Sequence, residues 1–301
     1  MRATIRRSIN NSYEAFAEDG RMYSLKIKGK TLSVPRWEYN PIAVGDEVEF
    51  KPHSESEGLL TERYERRSTF TRFLNKVSLN QTIAANMDQA LIVSSVKSPS
   101  FHPRFIDRAI AAIHGCDVII AVNKRDLGID MERDDIELYK ALGYRIVEVS
   151  AEEGDVSELI PLLKGKVTAF IGPSGVGKSS LVNLITGSNQ RVGEVSDKYN
   201  RGKHTTNHAL WISKDDIDII DTPGIREILP PLEDLTELRA SFPELKGLCC
   251  RYADCLHDGE NGCIVPRMVE EKRIDEGRYS GYLTMLHDLK DVHLRIVRNK
   301  W

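Results

Sequence analysis

Residues Gly172-Pro173-Ser174-Gly175-Val176-Gly177-Lys178-Ser179-Ser180 set two glycines, a lysine and a serine at the spacing G-x-x-x-x-G-K-[S/T]. That spacing makes a phosphate-binding loop. Glycines let backbone N–H groups approach a phosphate closely, and the start of a following helix adds partial positive charge at the same point. Lys178 is placed to reach the β- and γ-phosphates, and the Ser179 hydroxyl to serve Mg²⁺. The apolar run Val167-Thr168-Ala169-Phe170-Ile171 predicts a strand before the loop. Leu181-Val182-Asn183-Leu184-Ile185 predicts a helix after it.

A second group of residues has the chemistry to read a base. Asn123-Lys124-Arg125-Asp126 closes the buried-strand pattern Asp117–Val122 and matches N-K-x-D. Guanine offers N1–H and N2–H₂ side by side, and one carboxylate, Asp126, accepts both. Adenine lacks that donor pair and would leave the carboxylate unsatisfied. Asn123 braces the loops, and the Lys124 stem covers the base. Ser150-Ala151, after the strand ending at Val149, is expected as the second guanine-contact loop.

Asp221-Thr222-Pro223-Gly224 follows the strand Ile217–Ile220 and matches D-x-x-G. Asp221 is expected to act on Mg²⁺ and the Gly224 N–H to meet the γ-phosphate. Arg201-Gly202-Lys203-His204-Thr205-Thr206 reads as a polar switch I loop, with Thr206 preferred over Thr205 as the remaining Mg²⁺ ligand. Ile225 stands where many GTPases carry the glutamine that orients water. Slow intrinsic hydrolysis is therefore expected, with His204, Lys178 and Thr206 as the catalytic candidates.

Cys250-x4-Cys255-x-His257-x5-Cys263 brings three thiolates and one imidazole within fourteen residues. Soft S₃N ligation fits a structural, tetrahedral Zn²⁺. Cys249 is adjacent to Cys250 and could replace it. Cys116 lies far away and reads as a small core residue.

The elements that must position these groups follow from the patterning. Residues 1–68 alternate over short strands and suit a small β-barrel of the OB type. Residues 1–40 hold eight Lys/Arg against four acids, with Tyr13, Trp37 and Tyr39 interleaved. That composition suits either RNA binding or a solvated basic face over an aromatic core. Residues 69–83 read as a linker. Residues 84–230 alternate strand and helix, including helices at Phe105–Ile113, Asp134–Leu142 and Val156–Leu163, which implies a parallel α/β sheet with its ligand at the carboxyl strand ends. Residues 231–301 read as a mostly α-helical, zinc-binding unit. In this order N-K-x-D precedes the phosphate loop, whereas ordinary small GTPases place it after. The α/β domain therefore reads as circularly permuted, which is tolerated where termini lie close at the surface.

The bulk numbers fit this layout. The 301 residues are 41% hydrophobic and carry a net charge of -3, so the whole chain is no polycation. No run of about twenty apolar residues is present, so no membrane span is expected. Five cysteines, mostly clustered, point to a reducing, cytoplasmic setting rather than a disulfide framework.

The permuted order and the zinc spacing together resemble the RsgA (YjeQ) family, the small-subunit-dependent GTPases of bacteria. The Arg-Gly-Lys-His-Thr-Thr loop is similar to that family's switch I, although Asn207 stands where a third threonine is frequent. The resemblance implies an OB-fold N-terminal domain, Mg²⁺-dependent GTP hydrolysis to GDP stimulated by the 30S subunit, contact with 16S rRNA, and a late role in 30S maturation. It also implies zinc at Cys250, Cys255, His257 and Cys263, and a catalytic part for His204. A monomer is expected. The competing readings are a permuted GTPase acting on the 50S subunit or another RNA, and a GTP-sensing RNA-binding module without turnover.

Overall fold

Strict alternation in the first third of the chain closes a barrel. Strands β1 (Arg2–Ile9), β2 (Ser12–Ala17), β3 (Met22–Ile27), β4 (Glu47–Pro52) and β5 (Glu57–Arg63) bury every second side chain. Ile5, Tyr13, Ala15, Leu25, Val48, Phe50 and Leu60 fill the interior. β1 pairs with both β2 and β4, and β3 runs parallel to β5, so the ring closes in the order β1-β2-β3-β5-β4. This is the five-stranded OB topology. The computed structural model describes residues 1–9, 11–27, 35, 37–128, 133–188, 209–231 and 234–298.

Residues 69–83, expected as a linker, hold β6 (Thr69–Leu74) and most of β7 (Leu79–Ala85). These strands form an antiparallel hairpin, and β6 also pairs with the two-residue β9 (Ile113–His114). The register shifts between Phe70 and Thr71, so two consecutive side chains are buried. A bulge of this kind interrupts the period of two that would mark a strand in the sequence.

The central sheet is built from β8 (Gln89–Ser95), β10 (Asp117–Asn123), β11 (Arg145–Glu148), β12 (Lys166–Ile171), β13 (Leu210–Lys214) and β14 (Ile217–Asp221). Its order is β11-β10-β8-β12-β14-β13, parallel throughout except for β13. β8 is buried along its full length, as a central strand covered on both faces must be. Alternate residues supply the two cores. Ala90, Ile92, Ile120, Val122, Ala169 and Ile171 face one, while Leu91, Val93, Ile119, Ala121 and Phe170 face the other.

The helices of this layer are α1 (Pro103–Ala111), α2 (Arg133–Ala141), α3 (Ile160–Leu163) and α4 (Lys178–Thr186). The helix expected over Val156–Leu163 is confined to Ile160–Leu163. Pro161 sits in the first turn, where its missing N–H does no harm, and a longer helix would have put it inside.

After Pro231 the chain runs through short 3₁₀ turns at Leu235–Ser241 and Pro243–Leu245 into α5 (Val265–Glu270) and α6 (Glu276–Arg298). The expected helix-rich tail is present, but the Cys/His run itself is irregular. α6 packs on α1 through a buried ionic group. Arg278 pairs with Asp107 and, at 2.8 Å, with Glu244, and it lies over the rings of Tyr139 and Phe242. Burial raises the Asp107 carboxyl to about 6 against the opposing pull of Arg278. Among the described residues no helix is long and apolar enough to cross a membrane.

Candidate nucleotide site and metal centre

The carboxyl ends of β10, β12 and β14 bring three motifs together at one edge of the sheet, where open α/β sheets bind ligands. The phosphate loop leaves β12, and Lys178, Ser179 and Ser180 open α4. Two glycines are required by close approach. A Cβ on Gly172 would stand 2.4 Å from the Val93 carbonyl oxygen, and Gly177 combines φ of +91° with only 2.2 Å to the Asn123 amide nitrogen.

Asn123, the last residue of β10, joins the two halves of the site. Its Nδ2 donates to the Val176 carbonyl at 2.8 Å, and its Oδ1 accepts from the Ala151 N–H at 3.0 Å. Lys124 donates to the Gly175 carbonyl at 2.8 Å and to those of Lys97 and Ser98. The Ser150 hydroxyl donates to Asp126 Oδ1 at 2.6 Å, while Asp126 itself stays exposed for a ligand. Arg125 pairs with Asp155 at the rim. Asn123, Lys124, Ala151 and the glycine-rich loop are thus one hydrogen-bonded unit.

D-x-x-G lies against the same loop. A Cβ on Gly224 would meet Ser174 Cα at 3.1 Å, and the Ile225 N–H donates to the Gly172 carbonyl at 3.3 Å. The Thr222 hydroxyl donates to the Phe170 carbonyl at 2.7 Å. Ile225 is 2% exposed and belongs to the sheet core, so its side chain is apolar and turned away from solvent. His204, Thr205 and Thr206 lie outside the described residues.

Lys178 and Asp221 are buried in the site. The Lys178 ammonium donates to the carbonyls of Gly172 at 2.8 Å and Pro173 at 3.0 Å. Burial lowers it to about 8, with Asp221 acting in the opposite direction. Burial raises Asp221 to about 6, with Lys178 opposing. Asp221 Oδ1 is buried without a hydrogen-bond partner among the described residues. A lone carboxylate oxygen of that kind suits a hard, oxygen-seeking cation such as Mg²⁺.

The second cluster sits beside α6. Nδ1 of His257 lies 3.5 Å from Cys250 Sγ, 3.6 Å from Cys255 Sγ and 3.5 Å from Cys263 Sγ. A tetrahedral ion with metal–sulfur bonds of about 2.3 Å and a metal–nitrogen bond of about 2.0 Å requires N···S edges of about 3.5 Å. The four side chains therefore form a cluster that can hold one metal ion. Cys249 is exposed and outside it, which separates it from Cys250. Cys116 packs half-buried against the sheet core.

Several supporting residues had no motif to reveal them. Glu260 accepts from the N–H groups of Leu256 at 2.8 Å and Asp258 at 2.7 Å, which shapes the turn that carries His257. Tyr279 and Tyr282 of α6 donate to the carbonyls of His257 and Leu256. Arg239 donates to the Cys255 carbonyl at 3.0 Å. The position of Glu260 inside the Cys/His run was the available signal.

The sequence model of the RsgA GTPase family matches residues 63–229, more than half of the chain. The chain belongs to the RsgA GTPase family. A relative from Borrelia recurrentis, the small ribosomal subunit biogenesis GTPase RsgA, is 40% identical, with 94% of this chain and 92% of the relative covered. The RsgA 2 protein of Bacteroides thetaiotaomicron is 34% identical over 97% of this chain and 98% of its own length. The crystal structure of YjeQ from Thermotoga maritima aligns with a TM-score of 0.69 at 30% identity, covering 96% of this chain and 98% of that one. YloQ, a circularly permuted GTPase, aligns at 0.68 with 27% identity, covering 96% and 95%. Membership in this family makes the chain a GTPase, and its motif order, N-K-x-D before phosphate loop before D-x-x-G, is the permuted one.

Proposed function

We propose that the chain hydrolyses GTP to GDP and phosphate while docked on the small ribosomal subunit, which stimulates turnover, during late maturation of that subunit. The observation that carries this reading is the clamp of Asn123 between Val176 and Ala151, which joins a guanine-reading carboxylate to a phosphate loop. The relatives named for small-subunit biogenesis supply the partner.

In this reading Asp126, with Ser150 and Ala151, holds guanine, and residues 172–180 hold the phosphates. Lys178 stabilises charge on the transferring phosphoryl group. Ser179, Thr206 and Asp221 serve Mg²⁺, Gly224 senses the γ-phosphate, and His204 orients the attacking water. Ile225 leaves the position after D-x-x-G without a polar side chain to orient water, so the bound subunit completes the site. Zinc occupies Cys250, Cys255, His257 and Cys263 as a structural ion. The division of the chain at about residues 68, 84 and 230 belongs to the same proposal, as do a monomeric state and a cytoplasmic location.

The barrel supplies the rRNA contact. Trp37 and Tyr39 are 56% and 52% exposed and free to stack on bases, whereas Tyr13 is a core residue. Co-sedimentation of the full chain with 30S and 50S particles, in GDP and in a non-hydrolysable GTP analogue, tests the reading. Nucleotide-dependent association with 30S is expected. Association with 50S alone would overturn it.

A further inference from the structure

We propose that Arg6, in the barrel, is a positioning residue for Asp221, acting through Trp211 and Asp218. The proposal rests on the reading of Asp221 as a Mg²⁺ ligand and adds a residue to that site from a different domain. The guanidinium carbon of Arg6 lies 3.8 Å above the Trp211 ring and 5.5 Å from the Phe16 ring of the barrel. Arg6 thus lies against an aromatic of its own domain and one of the GTPase domain. Its Nη1 is 3.7 Å from Asp218 Oδ1 and makes no hydrogen bond among the described residues, so stacking and charge hold it in place. The Trp211 indole N–H donates to Asp218 Oδ1 at 2.7 Å, and the Ser213 hydroxyl donates to the same oxygen.

The neighbouring backbone runs straight to the metal-site acid. Arg7 of β1 pairs with Leu210 of β13, and Leu210 pairs with Asp221 of β14. Gly45, in the barrel loop before β4, approaches the same ribbon, since a Cβ there would lie 3.3 Å from Ile220 Cδ1. Alternation puts Asp218 and Ile220 on one face of β14 and Asp221 on the other. The barrel therefore braces one face of the β13–β14 ribbon while the Asp221 carboxylate leaves from the opposite face. β14 is held by β12 on one side and by β13 on the other, and β13 is the strand on which the barrel bears through Arg7. The Arg6 stack fixes Trp211, whose β14 partner Ile220 directly precedes the metal-site acid. A shift of the barrel on this seam moves the carboxylate.

The test uses the full chain with Arg6→Met, which removes charge and planarity, and Arg6→Lys, which keeps charge but loses the flat stack. The probe is a fluorescent N-methylanthraniloyl guanine nucleotide, titrated with Mg²⁺. For Arg6→Met the Mg²⁺ concentration at half-maximal tight binding should rise about tenfold, the scale seen when a metal ligand loses its support. Arg6→Lys should rise less, and nucleotide affinity in excess chelator should stay that of the parent protein. A Mg²⁺ midpoint equal to that of the parent in both variants would overturn the proposal. In a chain with Trp37→Phe and Trp301→Phe, emission from Trp211 should shift when Mg²⁺ is added to the nucleotide-bound protein. An unmoved emission would also count against it. If the parent protein bound no guanine nucleotide in Mg²⁺, the site reading itself would fall instead.

Discussion

The side-chain amide of Asn123 donates to the main-chain carbonyl of Val176 at 2.8 Å, so the end of β10 is tied directly to the glycine-rich loop after β12. The bond is buried, and losing it leaves a carbonyl unpaired. Truncation of such a partner costs about 1–3 kcal/mol, or roughly ten- to hundredfold in affinity. Asn123→Ala should therefore weaken GTP binding by that factor. Gly177→Ala should do the same, because its Cβ would occupy the place of the Asn123 amide. Calorimetric titration with GTP measures both. Parent-like affinity in either variant would contradict the clamp.

In the proposed reading Asp126 sets base preference. It is exposed and steadied by the Ser150 hydroxyl at 2.6 Å, and in that reading it would accept two donors from guanine. Asp126→Asn exchanges one acceptor for a donor, so binding should shift from guanine toward xanthine nucleotides. Competition between GTP and XTP reads the shift. An unchanged preference would remove the base-reading role.

The pH dependence follows from the burial of Lys178 at about 8 and Asp221 at about 6. Phosphate binding needs the ammonium, and Mg²⁺ binding needs the carboxylate. Below pH about 6 protons compete with Mg²⁺ at Asp221, and above about 8 Lys178 loses its charge. Affinity for Mg²⁺–GTP should be flat between those values and fall by up to about tenfold per pH unit outside them. A titration series from pH 5 to 9, in steps of about one unit, measures it. In Asp221→Asn the acid limb should disappear, and its persistence would assign that limb to another group.

The metal cluster predicts a stoichiometry. The purified chain should carry about one zinc ion, and Cys255→Ser should abolish it. The His257 and Leu256 carbonyls are tied to Tyr279 and Tyr282, so metal loss should also loosen α6. Elemental analysis with hydrogen exchange over α6 tests both parts. A metal-free chain with unchanged α6 protection would contradict the site.

The nucleotide motifs were legible in the sequence because each is local. Gly172 to Ser179, Asn123 to Asp126 and Asp221 to Gly224 hold their chemistry within eight residues or fewer, each directly after an apolar strand. The barrel was legible from its alternation. The β6–β7 hairpin was not, because the bulge at Phe70–Thr71 buries two neighbours in succession. Sequence spacing left Cys249 and Cys250 open, and only the chain path brings Cys250 to His257. Arg278 and Asp107 lie 171 residues apart, as Arg6 and Asp218 lie on different domains, and no local pattern marks either pair. Such contacts arise from how domains are docked, which periodicity does not encode.

The decisive comparison is GTP turnover by the full chain alone, with purified 30S subunits and with purified 50S subunits. With a buried Ile225 in place of a water-orienting side chain, isolated turnover should be slow. Low activity of the chain alone is expected, with a large rise on 30S that Lys178→Ala abolishes and no comparable rise with 50S. Stimulation by 50S alone, or absence of turnover under all three conditions, would contradict the proposed function.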